Sequence, residues 1–157
     1  MLIKTKKYKL NSNLYIKYCL KNIIYNQWWF FIVIIIISSF IFFLNFFLSF
    51  FFFFISIFFY FLFWFIKFYG ITKFDENRVI FEKVNYQISS QKIVIQLNTK
   101  QGMPVNWDQI KYVSRGENYF LLVISSMHII YLPYKIFNSI YEIKFMEVLL
   151  KRKNLFN

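Results

Sequence analysis

The side chains of this sequence that could carry out chemistry are few and scattered. His128 is the only histidine, Cys19 is the only cysteine, and the acids number 7. A catalytic or metal-binding centre needs several such groups converging on one point. His128 lies in a segment with the alternation of a β-strand, so we expect it to be a structural or surface residue.

The thiol and the acids support the same interpretation. A single cysteine permits no intramolecular disulfide, and we expect Cys19 to be a small apolar side chain on a helix. Asp75 and Glu76 fit a solvated turn, and Asp108 beside Trp107 fits a turn or a helix cap. No glycine-rich phosphate loop, H-E-x-x-H or G-x-S-x-G motif is present. We therefore expect no enzyme activity, no cofactor and no metal.

The dominant feature of the chain is an uncharged segment from Asn22 through Ile66. Its apolar part, residues 28–66, would form a single helix about 58 Å long at 1.5 Å per residue. A bilayer has a hydrocarbon core roughly 30 Å thick, so one crossing cannot accommodate it. A water-soluble core is the competing interpretation, but the 91 residues that follow are too few to bury two helices that are apolar on every face.

A membrane hairpin accounts for the length of this segment. We predict two transmembrane helices within residues 28–69, at about 28–44 and 49–66, with a turn at 45–49. The turn contains neither Gly nor Pro. A second half that is re-entrant or lies at the membrane interface is therefore the alternative.

Lysines flank both ends of the apolar segment and are absent from the predicted turn. Six precede the segment, and Lys67 and Lys73 follow it. Because Lys and Arg are retained on the cytoplasmic side of a membrane, we expect a multi-pass protein with both termini cytoplasmic. Trp rings favour the headgroup level. The predicted membrane-interface anchors are Trp28, Trp29, Trp64, Lys21 and Lys67.

Residues 1–27 form a basic segment that we expect in the cytoplasm. A short strand is predicted over Thr5–Leu10, and Asn11 or Ser12 could cap a helix that follows. The apolar positions of that helix are Leu14, Tyr18, Leu20, Ile23 and Ile24. Its lysines have two interpretations: charges that only set membrane orientation, or a helix on the bilayer surface that attracts anionic lipid.

The pattern after the apolar segment alternates, as in β-strands. Val84, Tyr86 and Ile88 fall on one face of a strand, and a turn at 89–91 leads to a second strand containing Ile93, Val94, Ile95 and Leu97. A loop is predicted at Thr99–Gly102 and a turn at Gly116–Asn118. Further strands are predicted at Val105–Trp107, Ile110–Val113, Tyr119–Ile124 and His128–Leu132, the last ended by Pro133.

The chain ends in a predicted helix. Ser139 and Glu142 have the spacing of a capping box, and basic residues follow at 151–153. Its apolar stripe is Ile143, Met146, Val148 and Leu150. We expect residues 74–157 to form a small α+β cytoplasmic domain, in which this helix covers the open face of an antiparallel sheet.

The motif formed by Trp107–Ile110, Tyr119–Leu122, Leu132-Pro133 and Ile136-Phe137, followed by a closing helix, resembles the YcxB-like C-terminal domain. Members of that family are small bacterial membrane proteins with two adjacent transmembrane helices before the domain. The resemblance implies a pleckstrin-homology-like sheet and a bacterial inner (plasma) membrane location, and it supplies no activity. The core motif residues are Trp107, Ile110, Phe120, Leu122, Pro133 and Phe137.

Three hypotheses for function follow. The leading one is a non-enzymatic membrane-anchored module whose cytoplasmic domain binds a protein or an anionic lipid partner. The alternative is an accessory subunit of a membrane transport or envelope complex, in which the hairpin packs against partner helices or forms an oligomer; Ser38, Ser39 and Ser56 motivate it. A membrane enzyme is the third, and it would require the carboxylates or His128 in one cleft. Nucleic acid is not expected, because the aromatic residues fall on core positions.

Overall fold

The computed structural model describes residues 2–74, 78–98 and 101–156; Asp75 and Glu76 lie outside them, as does part of the predicted loop Thr99–Gly102. The first half of the chain forms β1 Ile3–Lys4, β2 Tyr8–Lys9, α1 Ser12–Asn26, α2 Trp28–Leu44 and α3 Phe46–Lys73. The second half forms α4 Arg78–Phe81, β3 Lys83–Ile88, β4 Lys92–Asn98, β5 Gln101–Asn106, β6 Tyr112–Arg115, β7 Tyr119–Val123, β8 Ile129–Pro133 and α5 Ile140–Arg152. The fold is mixed α+β with antiparallel sheets.

The first sheet has the order β1-β3-β4-β5, with β2 also paired to β3. The alternation predicted for β3 is confirmed, since Val84, Tyr86 and Ile88 are buried. The next strand follows through the predicted turn, where the Ser89 hydroxyl donates to the Lys92 carbonyl oxygen at 2.9 Å. These strands present one apolar face to the core and a more polar face to the outside.

The single strand predicted over Thr5–Leu10 is wrong, because two short strands flank a break at Thr5. The Thr5 hydroxyl accepts a hydrogen bond from the backbone N–H of Tyr86 at 2.9 Å. In a regular strand, a backbone carbonyl oxygen would accept this bond. The backbone N–H of the next residue, Lys6, donates to the Ile136 carbonyl oxygen at 2.8 Å, and Ile136 lies outside the sheet. The N-terminal segment therefore pairs with β3 in two separate places, with Ile3 opposite Ile88 and Tyr8 opposite Val84.

The second sheet has the order β6-β7-β8, and its central strand is buried on both faces. Between the sheets, the strands predicted at Val105–Trp107 and Ile110–Val113 are displaced by a 3₁₀ turn at Trp107–Gln109. The Gln109 side chain accepts the backbone N–H of Asn106 at 3.0 Å, and this cap ends β5 before Trp107. Strand β6 consequently begins two residues later than predicted.

Helix α5 closes the core between the two sheets, whereas the sequence predicts a C-terminal helix over the open face of a single antiparallel sheet. Met146, Leu149 and Leu150 are buried there, whereas Val148 is 47% exposed, so the predicted stripe was wrong at Val148. Residues three and four apart share a helix face, and Val148 lies only two positions after Met146. The predicted capping box also differs: Ser139 accepts from Glu142 N at 3.3 Å, but the Glu142 carboxylate accepts from Asn138 N.

Helices α2 and α3 pack against each other in antiparallel fashion. The rings of Phe30 and Tyr60 stack at 4.5 Å near one end, and the Ser49 hydroxyl donates to the Ser38 carbonyl oxygen at 2.7 Å near the other. The first helix has the predicted bounds, but the turn is Asn45 alone and α3 extends to Lys73 rather than 66. Neither Gly nor Pro is needed, because extended Asn45 caps α3 by accepting from Leu48 N at 3.1 Å.

Candidate membrane interface

The surface of α2 and α3 is apolar and largely uncovered by the rest of the protein. Among the described residues, one helix, Phe46–Lys73, is long and apolar enough to cross a membrane by length and composition. Helix α2 meets the same criterion only together with α1, from which it is bent by 62°. Only 6% of the most apolar 18-residue window of α3 is buried, whereas a core helix of a soluble domain would be mostly covered. An exposed apolar surface this large indicates an interaction with lipid or protein.

The aromatic residues predicted as interface anchors lie at the end of the helix pair nearer the sheets. Trp28 and Trp29 are 62% and 54% exposed at the start of α2. On α3, the Lys67 ammonium lies 4.9 Å from the ring centroid of Trp64 and 5.7 Å from that of Phe63. Such cation–π contacts keep a charged group beside the rings that favour the headgroup level.

Gln27 forms the elbow between α1 and α2. Its backbone N–H donates to the Ile23 carbonyl oxygen at 2.8 Å, and its side-chain oxygen accepts a hydrogen bond from the Tyr60 hydroxyl at 3.1 Å. The elbow is therefore tied to α3, and α1 turns away from the direction of α2 rather than extending it. Lys21, the remaining predicted anchor, lies on the exposed face of α1.

The inner face of α1 packs on the outer face of the second sheet. Its buried apolar residues Tyr15, Ile16, Tyr18, Cys19 and Ile23 share a core with Leu10, Phe68, Leu121, Val123 and Ile129. Asn11 caps the helix as predicted, accepting from Asn13 N at 2.9 Å. The sequence signal for this docking was the uninterrupted apolar run of β7, which is typical of a strand covered on both faces.

The six motif residues of the last domain lie together in the core between the sheets. Trp107, Ile110, Phe120, Leu122, Pro133 and Phe137 are all buried. The Trp107 indole N–H donates to the Ser89 carbonyl oxygen at 3.0 Å, and the rings of Phe120 and Phe137 meet edge to face at 6.3 Å. Residues 88–149 match the family model described as YcxB-like protein. This segment is a YcxB-like domain.

The family match confirms the resemblance predicted from the motif and extends from the end of β3 into α5. No curated protein and no solved structure matches the chain. The match therefore identifies the YcxB-like domain, while α1 to α3 lie outside the matched residues.

A buried polar network joins α1 to the YcxB-like domain. Asn22 accepts a short hydrogen bond from the Tyr112 hydroxyl on β6 and a second from the Asn26 amide at 2.7 Å. Its own amide donates to the Ser125 carbonyl oxygen, in the turn between β7 and β8, at 3.4 Å. Because Asn22 is only 4% exposed and its polar atoms are bonded, this network fixes the position of α1 on the sheet.

The groups that the sequence offered for chemistry are dispersed. Cys19 is fully buried, and burial raises the pKa of its thiol to about 12, so it stays protonated at neutral pH. His128 is exposed in the turn before β8, where its Nδ1 lies 3.0 Å from the Ser125 hydroxyl. Asp108 lies exposed in the 3₁₀ turn. Within residues 2–74, 78–98 and 101–156, no group of His, Cys, Asp or Glu side chains could hold a metal ion.

Proposed function

We propose that this protein is a non-enzymatic membrane-anchored module of the bacterial inner membrane. In this proposal α2 and α3 form a transmembrane hairpin, both termini are cytoplasmic, and the YcxB-like domain binds a protein or lipid partner at the membrane surface. The observation that carries the proposal is the pairing of β1 and β2, before the hairpin, with β3, after it.

The pairing bears on topology because strands of one sheet must lie in the same compartment. The chain enters the apolar helices after β2 and leaves them before β3, so it crosses a bilayer an even number of times or not at all. The exposed apolar surface of α2 and α3 supports two crossings. The 17 residues of α2 span about 26 Å, close to the roughly 30 Å of a hydrocarbon core.

The distribution of charge supports the cytoplasmic assignment. Lys17 and Lys21 precede the hairpin, Lys67 and Lys73 end it, and no charged residue lies between 22 and 66. The positive-inside rule places the lysine-rich end in the cytoplasm. The same absence of ionisable groups favours an anchor over an ion-conducting path, which usually needs them.

We further propose a pleckstrin-homology-like architecture for the domain. Its support is the arrangement of two antiparallel sheets around one apolar core, closed by a C-terminal helix whose residues Met146 and Leu150 are fully buried. In this proposal the partner binds at the loops and open sheet edges of the domain.

Topology reporters test the proposal directly. A reporter that is active only after export is fused near Phe46 in one variant and after Asn157 in another. We expect activity from the first fusion only, and we expect the protein to remain in the membrane fraction after carbonate extraction. Release by carbonate, or activity from the fusion after Asn157, would contradict the proposal.

An accessory subunit of a membrane complex remains the second candidate. The serines that suggested it give it little support: Ser38 is buried against α3, and the exposed Ser39 donates its hydroxyl to the Ile35 carbonyl oxygen of its own helix at 2.8 Å. The exposed phenylalanines of α2 and α3 now carry this candidate instead. Extraction in a mild detergent tests it, because a subunit would leave the membrane with partner chains, and an extract that contains only monomer would contradict this candidate.

A further inference from the structure

A groove of about 770 Å³ lies between α1 and α3, beside the elbow. One wall is a stripe on α3 formed by Phe61, Phe65 and Tyr69, which are spaced four residues apart and therefore share a helix face. The rings of Phe65 and Tyr69 are nearly parallel at 6.2 Å. The other wall belongs to α1 and is formed by Asn13, Ile16, Lys17, Leu20, Lys21, Ile24 and Tyr25.

The stripe on α3 continues beyond the groove. Phe58 and Phe54 precede Phe61 by three and seven positions, so they extend the same face along the helix, and both are exposed. The floor of the groove is thus continuous with the apolar surface that the proposed hairpin presents to lipid. An occupant with a long apolar chain can lie along both without leaving an apolar environment.

The α1 wall adds positive charge to this apolar groove. Lys17 and Lys21 are one helical turn apart, and both are exposed. Among the described residues, no carboxylate forms an ion pair with either lysine. Two lysines that pair with no carboxylate of the described residues, above an apolar floor, are complementary to an amphiphile with an anionic head.

We infer that the groove binds an anionic phospholipid. The phosphate lies between the ammonium groups of Lys17 and Lys21, and one acyl chain lies along Phe61 and Phe65 towards the hairpin. This inference rests on the proposed function, because the acyl chain reaches the groove from the bilayer. A free anion would leave the aromatic wall unused, and a neutral lipid would leave the two lysines unused.

The inference specifies the role of α1. One face of the helix is fixed to the YcxB-like domain by Tyr15 and Asn22, and the opposite face contacts lipid headgroups. The lipid would therefore set how the domain is held at the membrane surface. The sequence allowed the N-terminal lysines either to set membrane orientation only or to attract anionic lipid. In this inference Lys17 and Lys21 attract anionic lipid.

The test uses the full-length protein in nanodiscs of equal parts phosphatidylglycerol and phosphatidylcholine. After extraction in mild detergent, the lipid retained per protein is counted by native mass spectrometry. We expect wild-type protein to retain phosphatidylglycerol in preference to phosphatidylcholine. Each lysine near an anionic lipid surface contributes a factor of about 5 to binding. The double variant K17Q/K21Q is therefore expected to lower the preference for phosphatidylglycerol by about 25-fold.

The matched control is K6Q/K7Q, which removes two exposed lysines of the same segment that do not line the groove. It is expected to retain the wild-type preference. An equal loss in both double variants, or no preference in wild-type protein, would overturn the inference. Thermal unfolding of each variant checks that α1 stays docked.

Failure of the proposed function gives a different result. A protein that carbonate releases from membranes is not anchored, and both proposals then fail. A protein that resists carbonate but shows no preference for phosphatidylglycerol is anchored, and only the lipid site is then excluded. A second variant, Phe65→Asp, adds negative charge to the groove wall and is expected to reduce retention of phosphatidylglycerol while Lys17 and Lys21 remain.

Discussion

The Tyr15 hydroxyl donates a hydrogen bond of 2.6 Å to the Met127 carbonyl oxygen, across 112 positions of the chain. Tyr15 is fully buried in α1, and Met127 lies in the turn that connects β7 to β8. This bond attaches the segment before the hairpin to the domain after it. The N-terminal segment is therefore part of the folded unit.

Replacing Tyr15 with Phe removes this hydrogen bond but keeps the ring in place. Since the Met127 carbonyl loses its partner, we expect the free energy of unfolding to fall by about 1 to 2 kcal/mol. Thermal unfolding in detergent, followed by tryptophan fluorescence, measures the change. Tyr141→Phe is the control, because Tyr141 is 79% exposed, and it is expected to match the wild type.

The fragment 74–157 is expected not to fold by itself. Without α1, the side chains of Leu121, Val123 and Ile129 lose their cover, and β3 loses the strand pairs that residues 3–9 provide. We expect the fragment to aggregate or to bind a hydrophobic dye. Joining residues 1–27 to it through a long Gly/Ser linker should restore solubility and cooperative unfolding; a well-folded fragment without them would contradict the prediction.

Asn45 caps α3 at the only position between the two apolar helices. Asn45→Ala removes the acceptor for Leu48 N, and a lost N-cap costs about 1 kcal/mol. We expect a lower temperature of unfolding in detergent for Asn45→Ala, with most of the loss restored in Asn45→Ser, which can still cap. Equal stability of the two variants would mean that the cap contributes nothing.

Cys19 predicts a pH dependence of stability. Burial raises the pKa of its thiol from about 9 to about 12, so between these values the folded protein holds a proton that the unfolded chain has lost. Stability from this residue is therefore complete below pH 9 and falls as the pH rises towards 12. We expect the loss of thermal stability between pH 8 and pH 10.5 to be smaller in Cys19→Ala than in the wild type.

The thiol should also be unreactive in the folded protein. A maleimide reagent at pH 7.5 is expected to label Cys19 only after denaturation, because the native thiol is both protonated and inaccessible. Rapid labelling of the native protein would show that α1 detaches from the sheet.

The sequence predicted the features that depend on neighbouring residues. The bounds of α2, the alternation of β3, the turn at 89–91 and the cap at Asn11 all follow from local patterns. The structure differs where a distant residue decides the outcome. Thr5 breaks its strand because of Tyr86, and α3 extends past residue 66 where Phe68 is covered by α1.

The candidate interface was predicted in the same partial way. Composition indicated aromatic and basic residues near the ends of the apolar segment, and the anchor roles of Trp28, Trp64 and Lys67 stay predictions. It could not place Lys17 and Lys21 opposite Phe61 and Phe65, because that depends on the angle at Gln27 and on which face of α1 meets the sheet. The elbow is held by the Tyr60 hydroxyl, and the face of α1 that meets the sheet is set by contacts with Leu121, Val123 and Ile129, far along the chain.

The pairing of β1 with β3 has a consequence for biosynthesis. Ile3 emerges from the ribosome long before Ile88, its partner, so the first strand must wait while the intervening residues are made. Closing so long a loop makes this pairing a late and slow event. Truncated nascent chains that stop before residue 88 therefore lack the strand that pairs with Ile3, and we expect proteases to cleave their N-terminal residues faster than those of the complete chain.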